Sequence, residues 1–117
     1  MKHLLLAAIV ALLAVAAAAV CYLTMDRFAV DRMERYFRYE MFDRDLSRAL
    51  HGGESERWEY YALADRFPLD GEYSESFTAG LEQLVRSFGA VQIRSEIKRS
   101  RVVRAGFYVT EAEELAR

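Results

Sequence analysis

Arg94, Lys98, Arg99, Arg101 and Arg104 place five cations within 11 residues, and Glu96 is the one acid among them. Guanidinium and ammonium groups at that density suit contact with phosphates, of DNA or of anionic lipid headgroups. A solvated turn whose polar face happens to be basic has the same composition. Sequence readout would need a groove-entering element that aims Arg, Asn or Gln at base edges. Only Gln83 and Arg86, on the helical stretch just before the cationic one, offer that.

Other chemistries find little material. Cys21 is the one cysteine, so neither an intramolecular disulfide nor a cysteine metal site can form. No Gly-rich phosphate loop follows a strand, no His-x-x-x-His occurs, and no nucleophile elbow is present. Asp43 with Asp45, and Glu111 with Glu113 and Glu114, are carboxylate groups without a partner base. His51 stands beside two glycines, where a helix C-terminus would favour its charge; Glu54 and Glu56 nearby make a pH-sensitive contact the sharper alternative. The expectation is a protein that is not an enzyme, with no cofactor, no metal and no small-molecule substrate. With 16 basic and 18 acidic side chains the net charge is -2, so no global attraction to polyanions exists.

Three unlike segments must position these residues. Residues 4–25 carry no charge. As a helix that run would span about 33 Å, close to the hydrocarbon thickness of a bilayer. A cleavable signal is the alternative, with Lys2 before it and Ala16, Ala17 and Ala18 as small-residue cleavage sites. The apolar run continues through Val20, Tyr22, Leu23 and Met25, longer than a signal's usual core, which favours an uncleaved anchor. Val20 before Cys21 does not suit a lipoprotein signal. Arg27, Arg32, Arg35 and Arg38 outnumber Lys2 across the span, which favours a cytoplasmic C-terminal side of a cell-membrane protein.

Residues 26–50 read as a helical stalk without Gly or Pro. Asp31 with Arg35, Glu34 with Arg38, and Glu40 with Arg44 have ion-pair spacing. Its apolar residues fall on two faces, Phe28, Tyr39, Phe42, Leu46 and Leu50 on one, Val30, Met33, Phe37 and Met41 on the other. Such a helix either touches two things, its own domain and a partner or the headgroup layer, or carries aromatics that simply settle at the bilayer interface. His51, Gly52 and Gly53 then stop it, with glycine supplying positive φ.

Residues 51–117 read as a small α+β domain. A short helix carries Trp58, Tyr61, Ala62 and Asp65 and is closed by Pro68, and Asp70-Gly71 marks a turn. An amphipathic helix over 76–88, capped by Ser74 or Ser76 and ended by Gly89, aligns Phe77, Leu81, Leu84, Val85 and Phe88. Period-two alternation follows. Val91, Ile93 and Ile97, then Val103, Ala105, Phe107 and Val109, are expected to form a β-hairpin about a turn at 98–101, with Leu84, Phe88 and Phe107 buried together. A last short helix begins at Thr110. The fold class expected is mainly α with a C-terminal hairpin, behind an anchor (1–25) and a stalk (26–50).

That order resembles a winged helix-turn-helix domain, and residues 81–115 resemble PadR- and MarR-type regulators from third helix through wing. Phe107, Tyr108, Val109, Thr110 and Glu111 match the strand ending that leads into the last helix there. Glu113 stands where a Gly is usual, the wing tip lacks Gly and Pro, and Arg86 is the single base on the would-be recognition helix. The resemblance covers about a third of the chain. It implies a domain that engages nucleic acid or protein, here tied to a membrane. The partner expected first is a protein, through the stalk or the domain, with nucleic acid the weaker alternative. A role as accessory or assembly subunit of a membrane complex, or as a periplasm-facing anchored protein, remains open beside it.

Overall fold

The computed structural model describes the chain from Lys2 to Arg117, apart from the side chains of residues 24–26. Seven helices follow one another: α1 (Lys2–Arg38), α2 (Met41–His51), α3 (Glu54–Tyr61), α4 (Leu63–Arg66), α5 (Gly71–Phe88), α6 (Ala90–Ser100) and α7 (Ala105–Ala116). Among the described residues there is no strand, so the fold is all-α. The expected hairpin is therefore a helix pair, α6 and α7, and the α+β reading is corrected.

The cause lies in which residues are buried. On α6 the core takes Ile93, Glu96 and Ile97, and on α7 it takes Ala105, Val109 and Ala112. Both sets have the i, i+3/4 spacing of a helix face. Val91, Val103 and Phe107, which produced the period-two alternation, point outward; Phe107 is 74% exposed. The expected trio therefore separates, with Leu84 in the core, Phe88 half-buried and Phe107 outside it.

α1 has 37 residues, roughly 55 Å of helix at 1.5 Å per residue. It is long and apolar enough to cross a membrane, and within that window no residue is buried by the rest of the protein. Its last turns behave differently: Met33 and Tyr36 are buried in the domain core. The segment expected to be a stalk thus belongs partly to the domain.

It is also not one helix. Glu40 adopts φ 61°, ψ 15°, and the chain folds over it into α2. A left-handed non-glycine residue costs roughly 1–2 kcal/mol, which the burial of Phe42 and Leu46 behind the turn offsets. The two apolar faces are reconciled there, since Met33, Tyr36 and Phe37 on α1 and Phe42 and Leu46 on α2 turn into one core.

Rings connect that core from end to end. Phe37 stacks on Phe42 at 5.0 Å, Phe42 meets Tyr60 at 5.8 Å, Tyr60 stacks on Phe77 at 5.0 Å, and Phe77 meets Tyr108 edge-on at 5.3 Å. The chain of contacts runs through α1, α2, α3, α5 and α7, and such pairs contribute about 0.5–1.5 kcal/mol each beyond burial. Tyr60 also donates its hydroxyl to the Phe77 carbonyl at 2.7 Å. Gly80 makes that possible, because a Cβ there would lie 2.0 Å from the Tyr60 hydroxyl oxygen.

The helix ends differ in detail from expectation. Gly52 and Gly53 do follow α2, but both have negative φ. Gly52 is needed for closeness instead, since a Cβ would lie 2.6 Å from the Arg48 carbonyl. Asp70-Gly71 is the start of α5 and not a separate turn, so that helix is longer than 76–88. Gly89 ends α5 at φ 90° and opens α6 at once. Phe67 is extended, as a residue before Pro68 must be.

Candidate functional site

The five cations expected on one basic turn are not brought together. Arg94 and Thr110 share a hydrogen bond at 3.3 Å, and both Arg94 donors on the fork engage the Glu113 carboxylate of α7. Arg99 turns to the other side and pairs with Glu54 of α3. Both guanidiniums are held above their ordinary pKa, first by the hydrogen bond to that carboxylate. Lys98, Arg101 and Arg104 are exposed around the short α6–α7 connection, and Arg101 itself adopts the left-handed conformation that ends α6. Arg86 is occupied by Glu82, at 2.8 Å, and by the Leu115 carbonyl at 3.0 Å. Gln83 is exposed on α5. Two of the five cations thus stitch α6 to its neighbours.

A buried polar network lies at the centre of the domain, and no sequence motif announced it. Arg57 on α3 is 5% exposed and Glu96 on α6 is 1% exposed. The guanidinium meets the carboxylate through Nε–Oε1 at 2.7 Å and Nη2–Oε2 at 2.8 Å. Tyr61 donates its hydroxyl to Oε1 at 2.8 Å, and Gln92 donates its amide to Oε2 at 3.1 Å. The remaining Arg57 donor reaches the Gly52 carbonyl at 3.1 Å, and the guanidinium lies 4.1 Å from the Phe88 ring centre. Burial alone would raise the Glu96 carboxyl, but the hydrogen bonds from Arg57, Tyr61 and Gln92 outweigh it and hold the carboxyl below its ordinary value. Burial, then the bond to Glu96, pushes the Tyr61 hydroxyl far up. Every member is satisfied, so the network ties α3, α6 and the α2–α3 link together and presents nothing free to a substrate. One sequence signal could have found it: a glutamate between Ile93 and Ile97 on an apolar helix face.

Around the emerging end of α1 lie two open grooves of opposite character. One, of about 340 Å³, runs along Glu34, Phe37 and Arg38 of α1 and Glu72, Tyr73 and Ser76 of α5. The other, of about 390 Å³, has Tyr36 and Phe67 at its base, Tyr39 and Met41 at its rim, and Arg32, Arg35 and Arg66 around it. Tyr36 is nearly closed off and gives its hydroxyl to Asp45 at 2.9 Å; burial, then that bond, raises its pKa strongly. The Arg66 guanidinium sits 5.3 Å from the Phe67 ring centre. The ion pairs expected along the stalk are not made: Asp31–Arg35, Glu34–Arg38 and Glu40–Arg44 do not occur, and Arg44 pairs with Asp45 instead.

Among the described residues no three His, Cys, Asp or Glu side chains come together as a metal cluster. His51 is exposed at the end of α2. The chain matches no family model, and no curated protein or solved structure shows significant similarity to it. The resemblance to winged-helix regulators thus finds neither support nor refutation there, while within the stretch that carried it, residues 81–115, the expected hairpin is replaced by α6 and α7 joined by a short turn.

Proposed function

We propose that this chain is a single-pass, non-catalytic membrane protein that mounts a helical binding module at the membrane surface for a protein partner. The observation that carries the proposal is α1. Its apolar part is left uncovered by the domain, and its last turns supply core residues Met33 and Tyr36. Uncovered apolar surface on that scale needs a lipid environment. Sharing one helix between span and core leaves no linker between them, so the module stands at a fixed height and orientation. The arginines after the span favour its cytoplasmic placement.

A protein partner is favoured over nucleic acid for two reasons. Arg94 and Arg99 already hold carboxylates, which leaves a thin set of cations for phosphates. Phe107 and Val103, by contrast, stand out from the domain at 74% and 71% exposure, and interface cores are enriched in such aromatic anchors. A photo-crosslinking residue placed at position 107 in cells should yield a product of defined mass, and one placed at exposed Glu59 should not. No product from position 107, or equal products from both, would count against the proposal. A reporter fused after Arg117 that works only outside the cytoplasm would overturn the orientation.

A further inference from the structure

We propose that the outer face of α7 is a two-fold docking surface for a second copy of this chain; the inference rests on the protein-partner reading above and names that partner. Phe107 stands at the centre of the face, with Arg104 one turn before it and Glu111 one turn after. Arg104 is already helical in its backbone, at φ -66° and ψ -30°, so positions 104, 107, 111 and 114 share one side of the helix. All four side chains are exposed. Arg104, Glu111 and Glu114 are in no ion pair among the described residues. Arg101 and Val103, also exposed, lie just before the face. The face thus has a cationic end, an aromatic centre and an anionic end.

Such a face is complementary to itself in one orientation. When two of them pack antiparallel about a two-fold axis between residues 107 and 108, Arg104 of each copy meets Glu111 of the other. The two Phe107 rings then flank the axis, where an offset or edge-on pair fits. Every contact in an isologous interface is made twice. A different protein would have to bring its own acid and base at the same spacing; a second copy carries them already. The charges also run against the preference of the helix itself. α7 has no acid in its first turn and no base in its last, although the macrodipole favours acids at the start and bases at the end. An antiparallel neighbour supplies both, with its glutamates beside the first turn and its arginine beside the last two. The face is small against the roughly 800 Å² per partner of a standard stable interface. Pairing therefore depends on α1 holding the copies in one bilayer, which raises their local concentration. In dilute detergent the copies separate.

The test uses the full chain in cell membranes, made in two differently tagged forms with benzoylphenylalanine at position 107 as an aromatic replacement for the anchor. Irradiation should give a product of twice the chain's mass that carries both tags. Arg104→Glu in both forms, or Glu111→Arg in both, should lower its yield by about tenfold, since each reversal turns two attractions into repulsions. Arg104→Glu in one form with Glu111→Arg in the other should restore the yield, because opposite charges then meet at both contacts. Loss of fold in either variant would not produce that recovery. An undiminished yield when both forms carry the same reversal, or no recovery in the mixed pair, would overturn the two-fold face. A product of another mass from position 107 would overturn the second copy as partner and leave the protein-partner reading standing. No product of any mass would overturn both.

Discussion

Glu96→Gln removes one charge and keeps the side chain's shape, and its effect follows from the geometry around Arg57. The guanidinium, 5% exposed, loses its counter-charge while staying in the core. One of its two contacts, at 2.7 and 2.8 Å, would also face an amide donor in place of an acceptor. Tyr61 or Gln92 would lose its acceptor as well, because both donate to the same carboxylate. Breaking a buried pair from one side costs about 3–5 kcal/mol. A domain spanning residues 33–117 has only about 4–13 kcal/mol to lose at the usual 0.05–0.15 kcal/mol per residue. Urea unfolding of the full chain in detergent, followed by Trp58 fluorescence, should show a large drop in midpoint. The pH dependence has a fixed sign. The folded pKa of Glu96 lies below its ordinary value, so its contribution is present above that ordinary value and is lost as pH falls through the folded one. Glu96→Gln should remove that part of the acid sensitivity. A loss below about 1 kcal/mol, the range of exposed pairs, with unchanged acid sensitivity, would refute the placement of Arg57 and Glu96.

Gly80→Ala puts a methyl where the Tyr60 hydroxyl lies and breaks its bond to the Phe77 carbonyl; overpacking of this kind costs about 1–3 kcal/mol, and Tyr60→Phe in the same background should recover part of it in thermal unfolding. Leu84→Ala empties a fully buried position and should cost about 2–5 kcal/mol. Phe107→Ala should change unfolding by less than about 0.5 kcal/mol, as expected of an exposed side chain, and a two-state hairpin-like dependence on Phe107 would contradict the helix register of α7.

The parts of the fold legible in the sequence are those where apolar residues alone mark a helix face. α5 shows this, with Phe77, Leu81, Leu84 and Val85 at helical spacing and buried as expected. The apolar part of α1 is readable as a helix by the length of its uncharged run, and the structure has there a helix long and apolar enough to cross a membrane. α6 and α7 misled for opposite reasons. On α6 a buried glutamate interrupts the apolar face, so Ile93, Glu96 and Ile97 look like an alternating strand. On α7 the core-facing residues are small, Ala105 and Ala112 around Val109, while the large Phe107 faces out and dominates any hydropathy pattern. The turn at Glu40 carries no Gly or Pro signal, because tertiary packing of Phe42 and Leu46 imposes it. Of the candidate site residues, the density of cations at 94–104 was legible, but their carboxylate partners Glu113 and Glu54 lie 19 and 45 positions away. Arg66 lies far from Arg32 and Arg35 in the chain, so the groove becomes visible only once α4 is packed.

Alkaline extraction of membranes from cells making the full chain, combined with mass measurement of the mature protein, tests most directly whether α1 is an uncleaved span continuous with the domain. The protein should remain in the pellet with residues 2–23 intact, and Leu12→Arg, at a cost of roughly 2.5–3.5 kcal/mol to insertion, should shift it to the supernatant. A mature chain beginning near Ala19 or Val20 and recovered as soluble protein would contradict the account.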